Sequence, residues 1–323
     1  MSKFVIKRIL VMIPVLLGVT LLIFTMMYFT DGNPARLILG DMATEEQIQE
    51  LEDKMGLNDP FLTRYFNYLS GLLHGDLGTS YVTGQPVADE IMARLPVTIK
   101  ISFFCMLFAV AIGIPIGILS AVKQYSVLDN LAMVLALAGI SLPNFWFALM
   151  LVLVFSVGLG ILPPSGLYGP QYYVLPVISI SASAVATITR MTRSSMLEVI
   201  RADYIRTARA KGQTENAIIF RHALLNALIP IITVVGLQFA ATLSGTVVNE
   251  QIFAIPGIGK LMVDAIKARN YPVVQGGVVV LALLFSVLNL IIDLIYAFVD
   301  PRIRSQYVKS RKRSTVSGKE ALQ

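Results

Sequence analysis

Six apolar stretches constrain what this chain can fold into, because most are long enough to cross a bilayer. They are Ile9–Phe29, Thr98–Val122, Leu131–Val157, Val174–Thr189, Leu228–Val248 and Val273–Val299. A helix needs about 20 apolar residues to span the hydrocarbon core, where its backbone groups must be satisfied internally. With 55% hydrophobic and 14% charged residues, the chain is no ordinary soluble domain. The sequence predicts an all-α polytopic membrane protein with six transmembrane helices.

The distribution of positive charge predicts how these spans are oriented. An N-terminus in the cytoplasm places 18 of the 26 Lys and Arg residues on the cytoplasmic side. Because cytoplasmic loops are enriched in Lys and Arg, we expect an N-in/C-in topology. This orientation also explains the formal charge of +6 better than nucleic-acid binding does.

Four domains are predicted along the chain. Residues 1–30 are the N-terminal cytoplasmic anchor and first span, 31–96 an extracytoplasmic loop domain, 97–299 the core with spans two to six, and 300–323 a basic cytoplasmic tail. Within the loop domain, Thr44 and Gln47 have the spacing of a capping box. They predict a short helix through Lys54 that stops at Gly56.

A basic cytoplasmic loop at 190–227 is the main candidate for a functional site. The stretch Arg190–Pro230 carries seven cations against three acids. Ile200, Tyr204 and Ala208 recur at helical spacing, which predicts an amphipathic helix over 200–212 that ends at Gly212. The residues alone support two interpretations about equally: docking into a groove on a soluble partner, or association with anionic lipid.

Other features of the spans indicate packing or a wet passage. A ridge of small residues, Ala109, Gly113, Gly117 and Ala121, predicts close helix contact in the second span. Four polar residues are possible pathway-lining positions: Asn144, Gln238, Thr242 and Asn249. For the neighbouring Pro143, a packing kink is favoured over an opening onto a cavity. Asp293 in the last span is expected to pair with a cation or to border a cavity, and pairing is favoured.

The motifs do not indicate an enzyme. The segment PGIGK (Pro256–Lys260) is not a nucleotide loop, because the earlier glycine is missing and Leu261 follows the lysine. His74 and His222 both lie outside the spans, and neither GxSxG nor HExxH occurs. With a single cysteine and two histidines, we predict no metal site and no catalytic residue.

Ordered blocks along the chain resemble a known family. YIRTARAKG (204–212) followed by RHALLNALIP (221–230) is similar to the EAA loop of ABC-importer permeases in its peptide-importer form, with Arg206 where the general motif has Glu. Further matching blocks are RILVMIPVLLGVTLLIF (8–24), HGDLGTSY (74–81), SLPNFW (141–146), TRMTRSSMLEV (189–199), NEQIFAIPGIG (249–259), RNYPVVQG (269–276) and DPRIR (300–304). Together they resemble the B-type inner-membrane subunit of the dipeptide/oligopeptide/nickel ABC importers.

This resemblance implies a type I (MetI-like) permease in a bacterial or archaeal cell membrane. The implied partners are a second homologous permease, two cytoplasmic ATPase subunits that use ATP and Mg²⁺, and an extracytoplasmic substrate-binding protein. The implied cargo is a di- or oligopeptide, with glutathione or nickel as the alternatives. A stand-alone secondary transporter is the rival class, but it would usually show two matching halves, which we do not see.

The resemblance also assigns roles to residues. It implies that the cytoplasmic loop contains a coupling helix that contacts an ATPase subunit and that this chain itself performs no chemistry and binds no cofactor. The implied contact residues are Asp203, Tyr204, Arg206, Thr207, Ala208, Arg209, Ala210, Lys211 and Gly212.

Overall fold

The computed structural model describes residues 2–30, 32–40 and 42–299, and this part of the chain is helical without strands. The predicted tail at 300–323 lies outside the described residues. The helices are α1 (Ser2–Tyr28), α2 (Pro34–Leu39), α3 (Glu45–Lys54), α4 (Phe61–Leu73), α5 (Val87–Val122), α6 (Val127–Ser141), α7 (Asn144–Leu151), α8 (Val174–Ile200), α9 (Asp203–Ala210), α10 (Glu215–Ala217), α11 (Leu224–Gly245), α12 (Val247–Ile252), α13 (Ile258–Lys267) and α14 (Tyr271–Val299). Turns of π-helix extend α7 over Val152–Gly158 and join α10 to α11 over Ile218–Ala223, and a 3-10 turn at Pro170–Tyr173 leads into α8.

The long helices confirm an all-α membrane protein. Within the described residues, five are long and apolar enough to cross a bilayer: Val5–Tyr28, Val87–Val122, Pro170–Ile200, Glu215–Leu243 and Tyr271–Ile295. The bent pair α6–α7 gives a sixth span if the two helices are counted together. The count of six therefore depends on that pair.

The third predicted span, Leu131–Val157, is not one continuous helix. α6 and α7 meet at an angle of 106°, which is far more than a packing kink. The cause is Pro143, since proline disfavours helical backbone at the residue before it. Leu142 accordingly adopts an extended conformation with φ −77° and ψ 131°, and α7 starts directly after the proline.

Several other spans are longer than predicted, α5 and α8 among them. α5 begins at Val87 and runs through Pro96, with Asp89 and Glu90 in its first turn, where acidic side chains favour the helix dipole. α8 continues past Thr189 to Ile200, because no Gly or Pro interrupts that stretch. Residues 190–200 of the basic loop therefore belong to a membrane helix.

α5 and α8 form the centre of the bundle through the predicted ridge of small residues. A Cβ atom added at Gly113 would lie 2.9 Å from Ile188, and one added at Gly117 would lie 2.5 Å from Thr192. Ala109 and Ala121 are buried on the same helix. The prediction of close packing is confirmed, since even a methyl group would not fit at these two glycines.

The segment before α5 packs onto the spans. Its predicted capping box is present, since the Gln47 amide donates to Thr44 Oγ1 (3.3 Å) and the Thr44 amide donates to Gln47 Oε1 (3.0 Å). Tyr65 of α4 lies against α1, with its hydroxyl 3.1 Å from Thr20 Oγ1. Near the start of α14, the Asn270 side-chain amide donates to Ser80 Oγ at 2.8 Å. This segment therefore shares its packing with the membrane helices.

Candidate coupling surface and transport pathway

The candidate coupling helix, α9, is shorter than the predicted 200–212 helix. α8 ends at Ile200, and Ala202 is extended with φ −69° and ψ 149°, so a break separates the two helices. α9 then runs for eight residues, and Gly212 follows with φ +76°. The left-handed φ of Gly212 ends the helix as predicted, because glycine adopts it without steric cost.

Ile205 anchors α9 to the bundle. Its side chain is fully buried and packs in one cluster with Met196 of α8 and Ile218 of the following π-helical turn. Sequence reasoning missed this residue, because it treated Ile200, Tyr204 and Ala208 as the apolar face of one continuous helix. The break at Arg201–Ala202 resets the helical phase, so Ile205 faces inward instead.

Most of the predicted contact residues are exposed. Ala208 is partly buried, and the other eight are exposed: Asp203, Tyr204, Arg206, Thr207, Arg209, Ala210, Lys211 and Gly212. We call these eight residues the α9 surface. Tyr204 is 48% exposed, although an aromatic ring beside a buried isoleucine could have packed against the bundle. The α9 surface thus presents an aromatic ring and three cations to its surroundings.

A side-chain ion pair holds the turn after α9. The Arg209 guanidinium donates to both carboxylate oxygens of Glu215, at 2.7 and 3.1 Å. This contact raises the pKa of Arg209 above its ordinary value, so the arginine is charged at any physiological pH. Two more polar residues, Gln213 and His222, meet across the same turn at 3.2 Å. The α9 surface is consequently fixed to α10 as well as to α8.

A buried ion pair ties the base of α8 to its neighbours. Asp129 of α6 accepts two hydrogen bonds from the Arg193 guanidinium, at 2.6 and 2.8 Å. The same carboxylate accepts from the Tyr125 amide at 2.9 Å and from the Ser120 hydroxyl of α5. Asp129 was not singled out in the sequence, because 64 residues separate it from its partner. The pair connects three helices at the end of the bundle that carries α9.

The four predicted pathway residues occupy different settings. Asn144 lies at the α6–α7 bend and lines a cavity of about 300 Å³. Gln238 and Thr242 stand one turn apart on α11, where the Thr242 hydroxyl donates to the Gln238 carbonyl at 2.7 Å. Thr242 and Asn249 are both buried within the chain. Their role in a pathway stays a prediction.

Glu250, at the opposite end of the bundle from α9, is fully buried and was not singled out in the sequence. Its Oε1 accepts hydrogen bonds from the hydroxyls of Thr98 (2.8 Å) and Thr246 (3.3 Å). Its Oε2 accepts from the Lys260 amide at 2.9 Å, and the Gly259 amide also binds the carboxyl. Burial raises the pKa of Glu250 above 4.5, and these hydrogen bonds oppose that shift.

The PGIGK segment is the other half of this site. Gly257 and Gly259 leave room for the carboxyl group, since a Cβ atom at either position would lie 2.4 or 2.9 Å from its atoms. The bound amides belong to the first turn of α13, which is a favourable place for an anion. PGIGK is therefore an anion-binding glycine loop whose anion is a side chain of the same protein.

An ion pair links the first and last spans. Arg8 Nη2 of α1 lies 3.0 Å from Asp293 Oδ1 of α14. The prediction that Asp293 pairs with a cation is confirmed. Elsewhere in the described residues, no group of three or more His, Cys, Asp or Glu side chains is arranged to hold a metal ion.

Comparisons with known proteins place this architecture in a family. The profile described as "Binding-protein-dependent transport system inner membrane component" matches residues 113–305, and the corresponding N-terminal profile matches residues 1–102. The dipeptide transport system permease protein DppB of Alkalihalophilus pseudofirmus is 43% identical, over 94% of this chain and 100% of the relative. The glutathione transport system permease protein GsiC of Escherichia coli O6:H1 is 41% identical, over 94% and 99%.

A solved structure supports the fold. The inward-facing MetNI methionine ABC transporter matches with a TM-score of 0.53 at 19% identity, over 65% of this chain and 96% of that chain. This chain therefore belongs to the family of binding-protein-dependent transport system inner membrane components, and it is a multi-pass permease of the inner membrane.

Proposed function

We propose that this permease forms half of the translocation pathway of an ATP-driven importer for di- or oligopeptides. The relatives named for dipeptide and glutathione transport support a cargo with peptide bonds. Glutathione itself is the second candidate, because the similarity to the glutathione permease is nearly as high. No feature of the described residues favours nickel.

The assembly contains a second homologous permease, two cytoplasmic ATPase subunits and an extracytoplasmic substrate-binding protein. ATP and Mg²⁺ bind to the ATPase subunits, and this chain is non-catalytic. Membership of a binding-protein-dependent transport family supports this composition. In the predicted N-in/C-in topology the α9 surface lies in the cytoplasm, within reach of an ATPase subunit.

The observation that carries the coupling role is the combination of a buried anchor and an exposed surface on one short helix. Ile205 fixes α9 to the cluster beneath it, while Tyr204 and Arg206 point away from the chain. Movement of an ATPase subunit bound to the α9 surface is therefore transmitted to α8 and α11 as a rigid-body displacement. A helix lying on anionic lipid would also carry cations, so it is the membership of a binding-protein-dependent transport family that favours docking to an ATPase subunit.

The test removes the α9 surface without disturbing the anchor. We expect the double variant Tyr204→Ala, Arg206→Glu to lose co-purification of the ATPase subunits and peptide-stimulated ATP hydrolysis. The matched control is Lys123→Glu, a charge reversal at an exposed residue of the α5–α6 loop, which should retain both. Normal ATPase recovery by the double variant would contradict the coupling role, and uptake that persists without any ATPase would favour a secondary transporter.

The cargo is tested with the purified assembly. ATP hydrolysis should rise on addition of a dipeptide or a longer peptide together with the binding protein. Stimulation by glutathione alone would favour the second candidate, and stimulation by nickel alone would contradict a peptide cargo.

A further inference from the structure

An apolar groove of about 820 Å³ runs along α5 and α8 in the half of the bundle that carries Glu250. Its walls include Phe104 and Leu107 of α5 and Val177 of α8. Both helices are membrane spans, so the groove opens at the depth of the hydrocarbon core. The cavity at Asn144 adjoins the groove through Phe108 and Ile178, but the four predicted pathway residues are not among the residues that line the groove.

One positive charge stands at the rim of the groove. Lys100 is the only charged residue among its described lining, and its ammonium lies 5.1 Å from the ring centroid of Tyr173. None of the ion pairs among the described residues involves Lys100. Tyr168, 88% exposed, also lines the rim, as is typical of residues at a membrane–water interface.

The length of the groove matches one acyl chain. On α5 the lining runs from Lys100 at the rim to Ala111, a distance of eleven helical rises or about 16 Å. Half of the hydrocarbon core is about 15 Å thick. The lining of the groove on α5 therefore ends about one leaflet away from Lys100.

We propose that this groove is a binding site for an anionic phospholipid, with the phosphate on Lys100 and one acyl chain along α5 as far as Ala111. A single cation above an apolar slot is complementary to a phosphodiester above a hydrocarbon chain. A covering helix from a partner permease would bury the Lys100 ammonium and would have to supply a carboxylate at its level. The site does not depend on the identity of the transported cargo.

Native mass spectrometry of the full-length chain in mild detergent tests the proposal. After delipidation, the protein is titrated with phosphatidylglycerol and, separately, with diacylglycerol of the same acyl chains. We expect Lys100→Gln to weaken phosphatidylglycerol binding about fivefold, the effect of one cation near an anionic lipid, and Lys100→Arg to retain it. Lys123→Gln, which lies outside the groove, is the matched control and should bind as the wild type does.

A second variant tests the acyl-chain part of the site. Ala111→Trp fills the inner end of the groove and should lower the occupancy of both lipids, provided that its melting temperature matches that of the wild type. If this variant does not fold, the Lys100 variants still decide the question. Equal binding of phosphatidylglycerol by wild type and Lys100→Gln would overturn the proposal. Efficient crosslinking of Leu107→Cys to a second permease in the assembled importer would overturn it as well.

Discussion

The α9 segment (residues 203–212) and the α12–α13 hairpin (residues 247–267) use the same kinds of residue in opposite ways. Both place charged side chains close to glycine. In the α9 segment the charges face outward, and a Cβ atom at Gly212 would meet nothing within 4 Å. In the hairpin the Glu250 carboxyl is buried, and a Cβ atom at Gly257 would collide with it at 2.4 Å.

The buried carboxyl stabilises the fold of its own chain, whereas the exposed cations of α9 are available to a partner. Glu250 has its hydrogen bonds supplied by its own chain, so its removal should damage the protein itself. The α9 surface has three cations exposed at the end of the bundle, so changes there should affect assembly before stability. Variants in the two regions test this contrast.

The largest expected effect is on stability, at the hairpin. Glu250→Ala leaves two buried hydroxyls and two helix amides without their acceptor, which should cost about 3–5 kcal/mol. Thermal unfolding in detergent should therefore show a clearly lower melting temperature. Asp264→Ala removes an exposed carboxylate from the same hairpin and should change stability by less than about 1 kcal/mol. Equal losses in the two variants would contradict the contrast.

The next effect concerns the anchor of α9. Ile205→Ala removes a fully buried side chain and should destabilise its packing by about 2–4 kcal/mol. Because α9 is short, we expect the loss to appear as faster amide exchange over 203–212 with little change in the rest of the bundle. Ile205→Val is the control and should lose about 1 kcal/mol. Uniform exchange across the whole chain would show that α9 is no separate unit.

Gly212 should show a smaller effect that depends on backbone conformation. A valine there must adopt φ near +76°, which costs about 1–2 kcal/mol for a residue with a Cβ atom. Asparagine tolerates this conformation, and the open space around Gly212 admits either side chain. We therefore expect Gly212→Val to reduce peptide-stimulated ATP hydrolysis and Gly212→Asn to retain most of it. Equal activity of the two variants would mean that left-handed backbone is not required.

The smallest effect is the pH dependence of the hairpin. Burial raises the pKa of Glu250 above 4.5, so the folded chain binds this proton more tightly than the unfolded chain. The stability from this residue is complete below pH 4.5 and declines as the pH rises through the raised pKa. Glu250→Gln does not titrate at this position. The melting temperature of the wild type, measured relative to this variant, should therefore fall as the pH rises through the raised pKa. A relative increase with pH would contradict the direction of the shift.

Sequence reasoning found what depends on local pattern. The apolar runs, the Thr44 capping box, the small residues of α5 and the stop at Gly212 each follow from neighbours in the chain. It missed what depends on contacts between distant residues. Asp129 meets Arg193 across 64 residues, and Glu250 meets Thr98 across 152. Ile205 was missed for a local reason, because the break after Ile200 was not recognised.

The tight contact at Gly113 and Gly117 limits how this permease can change shape. With no space for a methyl group between them, α5 and α8 can neither slide nor roll past each other without a clash. Asp129 and Arg193 lock α6 onto the same pair at one end. Any displacement transmitted through Ile205 should therefore move α5 and α8 together as one rigid body. The hinges of the transport cycle should then lie elsewhere in the chain.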